Sequence, residues 1–247
     1  MIINLITGWI GSLLVNYLAD VLPTSRKISS PYCKCCDHEL SWKYYVLLSA
    51  CEHCGEKPSM RHLIMFVLGP VLAGLLYFFP LGNLGNFGGL LWLIYFELIV
   101  VIDLEHRLIL HPVSLVGAVL GLVFGIFTHG VWNTLIGGAA GFGIMLTFYF
   151  LGELFVRILS KSRGENIDEV ALGFGDVNLS GVIGLLLGWP GVVGGIFLAI
   201  LLGGIVSGLF LLIQMARKKY QAFYALPYGP FLVLSVLALL VFSRFVR

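Results

Sequence analysis

The sequence predicts an all-α polytopic membrane protein with about eight transmembrane helices and one small polar loop. Three observations carry that prediction. Hydrophobic residues make up 59% of the 247 positions. Only 11% are charged, against roughly 25% in soluble domains. The apolar residues fall in long runs separated by Gly and Pro, as at Pro80 to Gly85, Thr128 to Gly130 and Trp189 to Gly191. A soluble domain of this size needs more surface charge, and a disordered chain would be polar. A net charge of +2 argues against a nucleic-acid partner. A membrane β-barrel would show short alternating segments instead of long runs.

A helix crosses a hydrocarbon core of about 30 Å with roughly 20 apolar residues. The runs that serve extend over Ile2–Leu22, His62–Phe79, Phe87–Ile102, Pro112–Phe127, Val131–Phe155, Val177–Trp189, Gly191–Met215 and Pro227–Phe245. The first lacks a basic start and a small-residue cleavage site, so it reads as a signal anchor and not as a cleaved signal peptide. The third and sixth are short for a span. Glycines at helical spacing, such as Gly117, Gly121 and Gly125, or Gly137 and Gly141, read as close helix–helix packing.

Lys and Arg accumulate in cytoplasmic loops. Here thirteen of the fifteen basic residues lie in alternate loops: Arg26 to Arg61 after the first run, Arg107 after the third, Arg157 to Arg163 after the fifth, and Arg217 to Lys219 after the seventh. The other two are Arg244 and Arg247 at the C-terminus. The alternate loops therefore face the cytoplasm.

The first of these loops contains all five cysteines. Cys33 and Cys36 form one C-x-x-C, Cys51 and Cys54 a second, with fourteen residues between the pairs. Two such turns can place four thiolates tetrahedrally around one Zn²⁺, leaving no open position, so the site would be structural. The loop has too few apolar residues to fold on a core of its own, and a metal would supply the missing stabilisation. Disulfides or redox chemistry are the competing reading, which a cytoplasmic location disfavours. A third reading gives the cysteines no shared role. Cys35, His38 and His53 are alternative ligands, although the histidines read more simply as surface polar residues.

Ionisable residues at membrane depth are functional candidates. Asp103 ends the third run and Asp176 opens the sixth, both on the side assigned to the cytoplasm. Two carboxylates that share a proton can hydrolyse a peptide bond, one as general base on a water and the other, protonated, polarising the carbonyl. Gly173 and Gly175 flank Asp176 and permit unusual φ values and close approach of a substrate strand. The competing reading makes each Asp a helix-end charge, favoured at position 176 by the helix dipole. Glu97 is expected to pair with a neighbouring Tyr or Ser, the alternative being contact with a substrate group or a proton relay, and Asp20 to be a helix-end charge, the alternative being a substrate contact. Asn178-Leu179-Ser180 is a chance match to a glycosylation sequon.

Taken in order, these motifs resemble the type IV prepilin peptidase family of bacterial inner membranes, the zinc-bearing G-x-G-D intramembrane aspartic proteases. The segment from Gly11 to Pro23 is similar to the family's G-S-F-L-N-V-x-x-x-R-x-P opening. The paired C-x-x-C matches its zinc-bearing members. Asp103-Leu104 through Pro112 is similar to D-L-x-x-x-x-I-P, Gly173-Phe174-Gly175-Asp176 matches G-x-G-D, and Pro227-Tyr228-Gly229-Pro230 is similar to P-[FY]-G-P. The resemblance implies removal of the basic leader from type IV prepilins or pseudopilins, for type IV pili or type II secretion, with Asp103 and Asp176 as the catalytic pair. It also implies a possible N-methyltransferase activity using S-adenosylmethionine. Implied partners are those substrates and membrane lipid. The sequence departs from the family at Asn178, where a Lys is usual, at His111, where Ile is usual, and at the absent Arg before Pro23.

The chain is thus expected to comprise a first span over 1–23, a cytoplasmic Cys-rich, zinc-ribbon-like loop over 24–61, and a transmembrane peptidase core over 62–247. A transporter with Glu97, Asp103 and Asp176 along an ion path, or a zinc-anchored scaffold without chemistry, are the alternatives. A transporter of this kind would show inverted repeats, and no internal symmetry is apparent.

Overall fold

The computed structural model describes residues 1–163, 172–217 and 227–243. The basic residues Lys218, Lys219, Arg244 and Arg247 lie outside the described residues. Among the described residues the chain forms α1 (Ile2–Ser25), α2 (Trp42–Val46), α3 (Met60–Phe78), α4 (Gly85–His106), α5 (His111–His129), α6 (Val131–Arg163), α7 (Phe174–Leu187), α8 (Gly191–Ala216) and α9 (Gly229–Phe242). Six are long and apolar enough to cross a membrane. Two more, α7 and α9, are apolar but only 14 residues long. Extended backbone is limited there to one bridge between Tyr32 and Glu39. The protein is an all-α multi-pass membrane protein, with helices where the apolar runs predict them.

Two compact units make up the chain, Met1–His106 and Arg107–Arg247. In the first, α1 packs on α3 and α4. Small residues allow the approach: a Cβ on Gly8 would collide with Ala73, and one on Gly69 with Ser12. Asn4 and Asn86 exchange side-chain amide bonds at 2.8 and 2.9 Å, with a third bond from Asn4 to the Ala73 carbonyl at 3.2 Å. Such polar pairs help helices associate where lipid offers no alternative. Trp92, Phe96, Ile99 and Ile102 bury the core face of α4 completely.

In the second unit α7 is central and touches α5, α6, α8 and α9. The α6–α7 contact is glycine on glycine: a Cβ on Gly137 would strike the Gly184 carbonyl, one on Gly184 the Gly137 carbonyl, and one on Gly141 the Ser180 carbonyl. Gly121 and Gly125 of α5 meet Leu185 in the same way. The expected packing role therefore holds for Gly121, Gly125, Gly137 and Gly141. The outer faces of α3 and α8, with Ile64, Val67, Val71, Phe197, Ile205 and Leu212, are exposed and apolar, as surfaces that meet lipid tails must be.

The short third span expected from the sequence is not observed. Helix α4 has 22 residues, about 33 Å at 1.5 Å per residue. It continues past Ile102 to His106, and in that last turn Glu105 finds the partner described below. Helix α7 is short as expected, about 21 Å. Helix α1 runs through Pro23 to Ser25 and closes on Arg26, whose φ of 55° is left-handed and whose N–H donates to the Leu22 carbonyl at 3.0 Å.

Candidate active site and metal centre

The two C-x-x-C sequences fold as matching tight turns. Cys33 N–H donates to the His38 carbonyl at 2.9 Å, and Asp37 N–H returns to the Cys33 carbonyl at 3.0 Å. In the second turn Cys51 N–H donates to Glu56 at 2.8 Å, and Gly55 N–H to Cys51 at 2.9 Å. The fifth residue of each turn is left-handed, Asp37 at φ 52° and Gly55 at φ 73°. The turns bring Cys33, Cys36, Cys51 and Cys54 together, all sulfurs within 4.8 Å of one another. The Sγ separations are 3.5 Å for Cys33–Cys54 and 3.8 Å for Cys36–Cys51. A tetrahedron with metal–sulfur bonds of about 2.3 Å has edges of about 3.8 Å, so the four thiols fit one metal ion such as zinc. None of the cysteines forms a disulfide. Backbone N–H groups of Cys54 and His53 hold the Cys51 thiol down from 9.0 to about 6, while burial and the neighbouring thiols push Cys36 and Cys54 up. Cys35 lies outside the cluster, and His38 and His53 stack on each other with ring centroids 5.1 Å apart.

Between the two turns, α2 places Tyr44 and Tyr45 in buried positions. Tyr45 Oη donates to Asp20 Oδ2 at 3.0 Å. His62 Nε2 also lies 3.0 Å from Oδ2, and Arg61 Nη2 lies 2.6 Å from Oδ1. A carboxylate only accepts, so His62 carries its proton on Nε2 and donates. The 3.2 Å approach of Arg61 Nη2 to that nitrogen is then two donors converging on one carboxylate. Ser59 Oγ lies 2.9 Å from His62 Nδ1. Arg61 Nη1 donates to Glu105 Oε2 at 3.0 Å, in the last turn of α4. Burial and the Asp20 charge push the Tyr45 hydroxyl up, which keeps it a donor. Asp20 is therefore not the simple helix-end charge expected from the sequence but the centre of a buried network, its side chain 12% exposed and that of Arg61 10%.

Asp103 sits one residue before Leu104 near the end of α4 and is buried, 4% exposed. Asp176 lies in the first turn of α7 and is 8% exposed. Its N–H donates to the Gly173 carbonyl at 3.0 Å, closing the turn that starts the helix. Negative charge there is favoured by the helix dipole. Gly173, the N-cap, is exposed in ordinary extended conformation with φ −74°. A Cβ on it would come 3.3 Å from Asp176 Oδ2, so the glycine keeps the space beside that oxygen open. Gly175 is required by packing, since its Cβ would stand 2.7 Å from the Ile109 Cβ. Neither glycine uses the left-handed φ values anticipated from the sequence; their value here is the missing side chain.

Asn178 and His111 face each other across α7 and α5, Nδ2 to Nδ1 at 3.3 Å. Both border a cavity of about 380 Å³ together with Ser114, Gly138, Phe142 and Gly181. The sequence did not pair them. Glu97 lies mid-helix in α4, 8% exposed, and among the described residues its Oε1 has no hydrogen-bond partner, contrary to the expected pairing with a Tyr or Ser.

Residues 89–208 match the model of the type IV leader peptidase family. The matched stretch includes Asp103, Gly173, Gly175 and Asp176 and excludes the cysteine turns and Pro227 to Pro230. No curated protein and no solved structure matches the chain.

Proposed function

We propose, from the match of residues 89–208 to the type IV leader peptidase family, that the chain is an aspartic-type peptidase that removes the basic leader of type IV prepilins or pseudopilins at the cytoplasmic face of the bacterial inner membrane. The observation that carries the reading is a buried carboxylate at each of two helix ends inside the matched stretch, Asp103 on α4 and Asp176 on α7. One carboxylate takes a proton from water as the water oxygen adds to the scissile carbonyl carbon. The other, protonated, donates a hydrogen bond to the carbonyl oxygen. The C–N bond then breaks and a proton passes to the departing amine. The open space that Gly173 leaves beside Asp176 admits an extended substrate backbone. The four thiolates of Cys33, Cys36, Cys51 and Cys54 would hold zinc, which supplies stability to the loop and has no open position for chemistry.

Cleavage is tested by incubating the purified protein with a prepilin and reading the product N-terminus by mass spectrometry. Asp103→Asn and Asp176→Asn should each abolish cleavage while the protein still inserts in membranes. Near-normal processing by either variant refutes the pair. The same assay run with S-adenosylmethionine reads N-methylation of the new terminus, the second activity that the zinc-bearing resemblance implies.

A further inference from the structure

We propose that Tyr45, Asp20, Arg61 and Glu105 form a mechanical link through which the metal-binding loop sets the order of the last turn of α4. The effect on cleavage rests on the reading of Asp103 above, since that turn carries it. The link itself does not.

The loop end of the link is Tyr45. Its helix, α2, lies in the stretch between the two cysteine turns, so the turns determine where it sits. Tyr44 and Tyr45 pack their rings on His62 with centroids 5.3 and 5.7 Å away, and Tyr17 Oη donates to the Ser29 carbonyl at 2.9 Å where the chain leaves α1. A loop held by four thiolates loses its fold when the metal leaves, and Tyr45 is withdrawn with it. Asp20 Oδ2 then keeps only His62.

The next element is rigid. The guanidinium of Arg61 is planar, with its donors in a fixed fork. One Nη meets Asp20 and the other meets Glu105, so a turn of the carboxylate at one end is passed to the other. The Arg61 Nε is buried without a partner. Among the described residues, the Nη1–Glu105 contact is a hydrogen bond by which this side chain holds α4. The end of α4 is sensitive to it because the last carbonyls of a helix lack intrahelical donors, and a cation there complements the helix dipole. Arg61 is a positioning residue in this scheme. It acts on Asp103 through the helix.

The test is hydrogen exchange of residues 102–106, read by mass spectrometry on the full chain in micelles. Metal-loaded and chelator-treated wild type are compared with metal-loaded and chelator-treated Tyr45→Phe. Loss of one hydrogen bond to a charged group predicts about tenfold faster exchange in metal-free wild type. Tyr45→Phe should show the same acceleration with its metal content unchanged, and chelation should add little to it. Arg61→Lys, which keeps the charge but not the fork, should also exchange fast and should lower kcat for prepilin with KM unchanged. The link is overturned if chelation leaves exchange at 102–106 unchanged in wild type, or if it adds its full increment in Tyr45→Phe. If Asp103→Asn cleaves normally, the reading of Asp103 fails while the exchange data still decide the link.

Discussion

Replacing Asp20 by Ala removes the acceptor on which three donors converge. Arg61 is then left with its side chain 10% exposed and one carboxylate in place of two. Breaking a buried ion pair by deleting one member costs about 3–5 kcal/mol. Glu105 remains 3.0 Å away but is 32% exposed, so it offsets only part of the loss and the low end, about 3 kcal/mol, applies. For a chain of this size each kcal/mol moves the midpoint by about 2–4 °C, which gives a fall of about 6–12 °C. Asp20→Asn keeps an oxygen for Arg61 but turns an amide toward Tyr45 and His62, two donors it cannot accept from with its nitrogen. Its fall should be about half as large. Thermal unfolding in detergent, followed by helix content, measures both. An Asp20→Ala midpoint within about 2 °C of wild type would refute the claim that this network stabilises the first unit.

Three further outcomes follow from the geometry. Purified protein should contain about one zinc per chain by elemental analysis, and Cys51→Ser should lose it; disulfides in place of metal would overturn the four-thiol site. Gly137→Leu should lower the thermal midpoint through overpacking of about 1–3 kcal/mol, because its side chain must occupy the space of the Gly184 backbone; an unchanged melt would mean that α6 and α7 part freely. Prepilin cleavage should have a bell-shaped pH profile, as a carboxylate pair that shares one proton requires, and a flat profile through the acidic range would count against the pair.

The spans were legible because lipid imposes one rule on every helix that crosses it, and long apolar runs broken by Gly and Pro satisfy that rule visibly. The cysteine turns were legible because their ligand spacing is local. The last turn of α4 was not: apolar content stops at Ile102, while the helix continues on a salt bridge whose two residues are 44 positions apart. The same holds for Asp20, whose partners Tyr45 and Arg61 lie 25 and 41 positions away. A polar residue carries no mark of its partner in local sequence. Gly173 and Gly175 were read from the sequence as sites of unusual φ and of close backbone approach, and they do not adopt the first. Only the neighbours, Asp176 and Ile109, reveal that the absent side chain is what matters. His111 and Asn178, two of the three departures from the family pattern, turn out to touch each other, which two separate motifs could not disclose.

The shortness of α7 bears on how the protein is made. At about 21 Å it cannot bridge an apolar layer of about 30 Å by itself, so a nascent chain that ended after Leu187 would gain little by leaving it in lipid. Its neighbours α6 and α8, of 33 and 26 residues, are long enough to integrate first. The helix bearing Asp176 would then be drawn in between them, making its insertion a consequence of assembly.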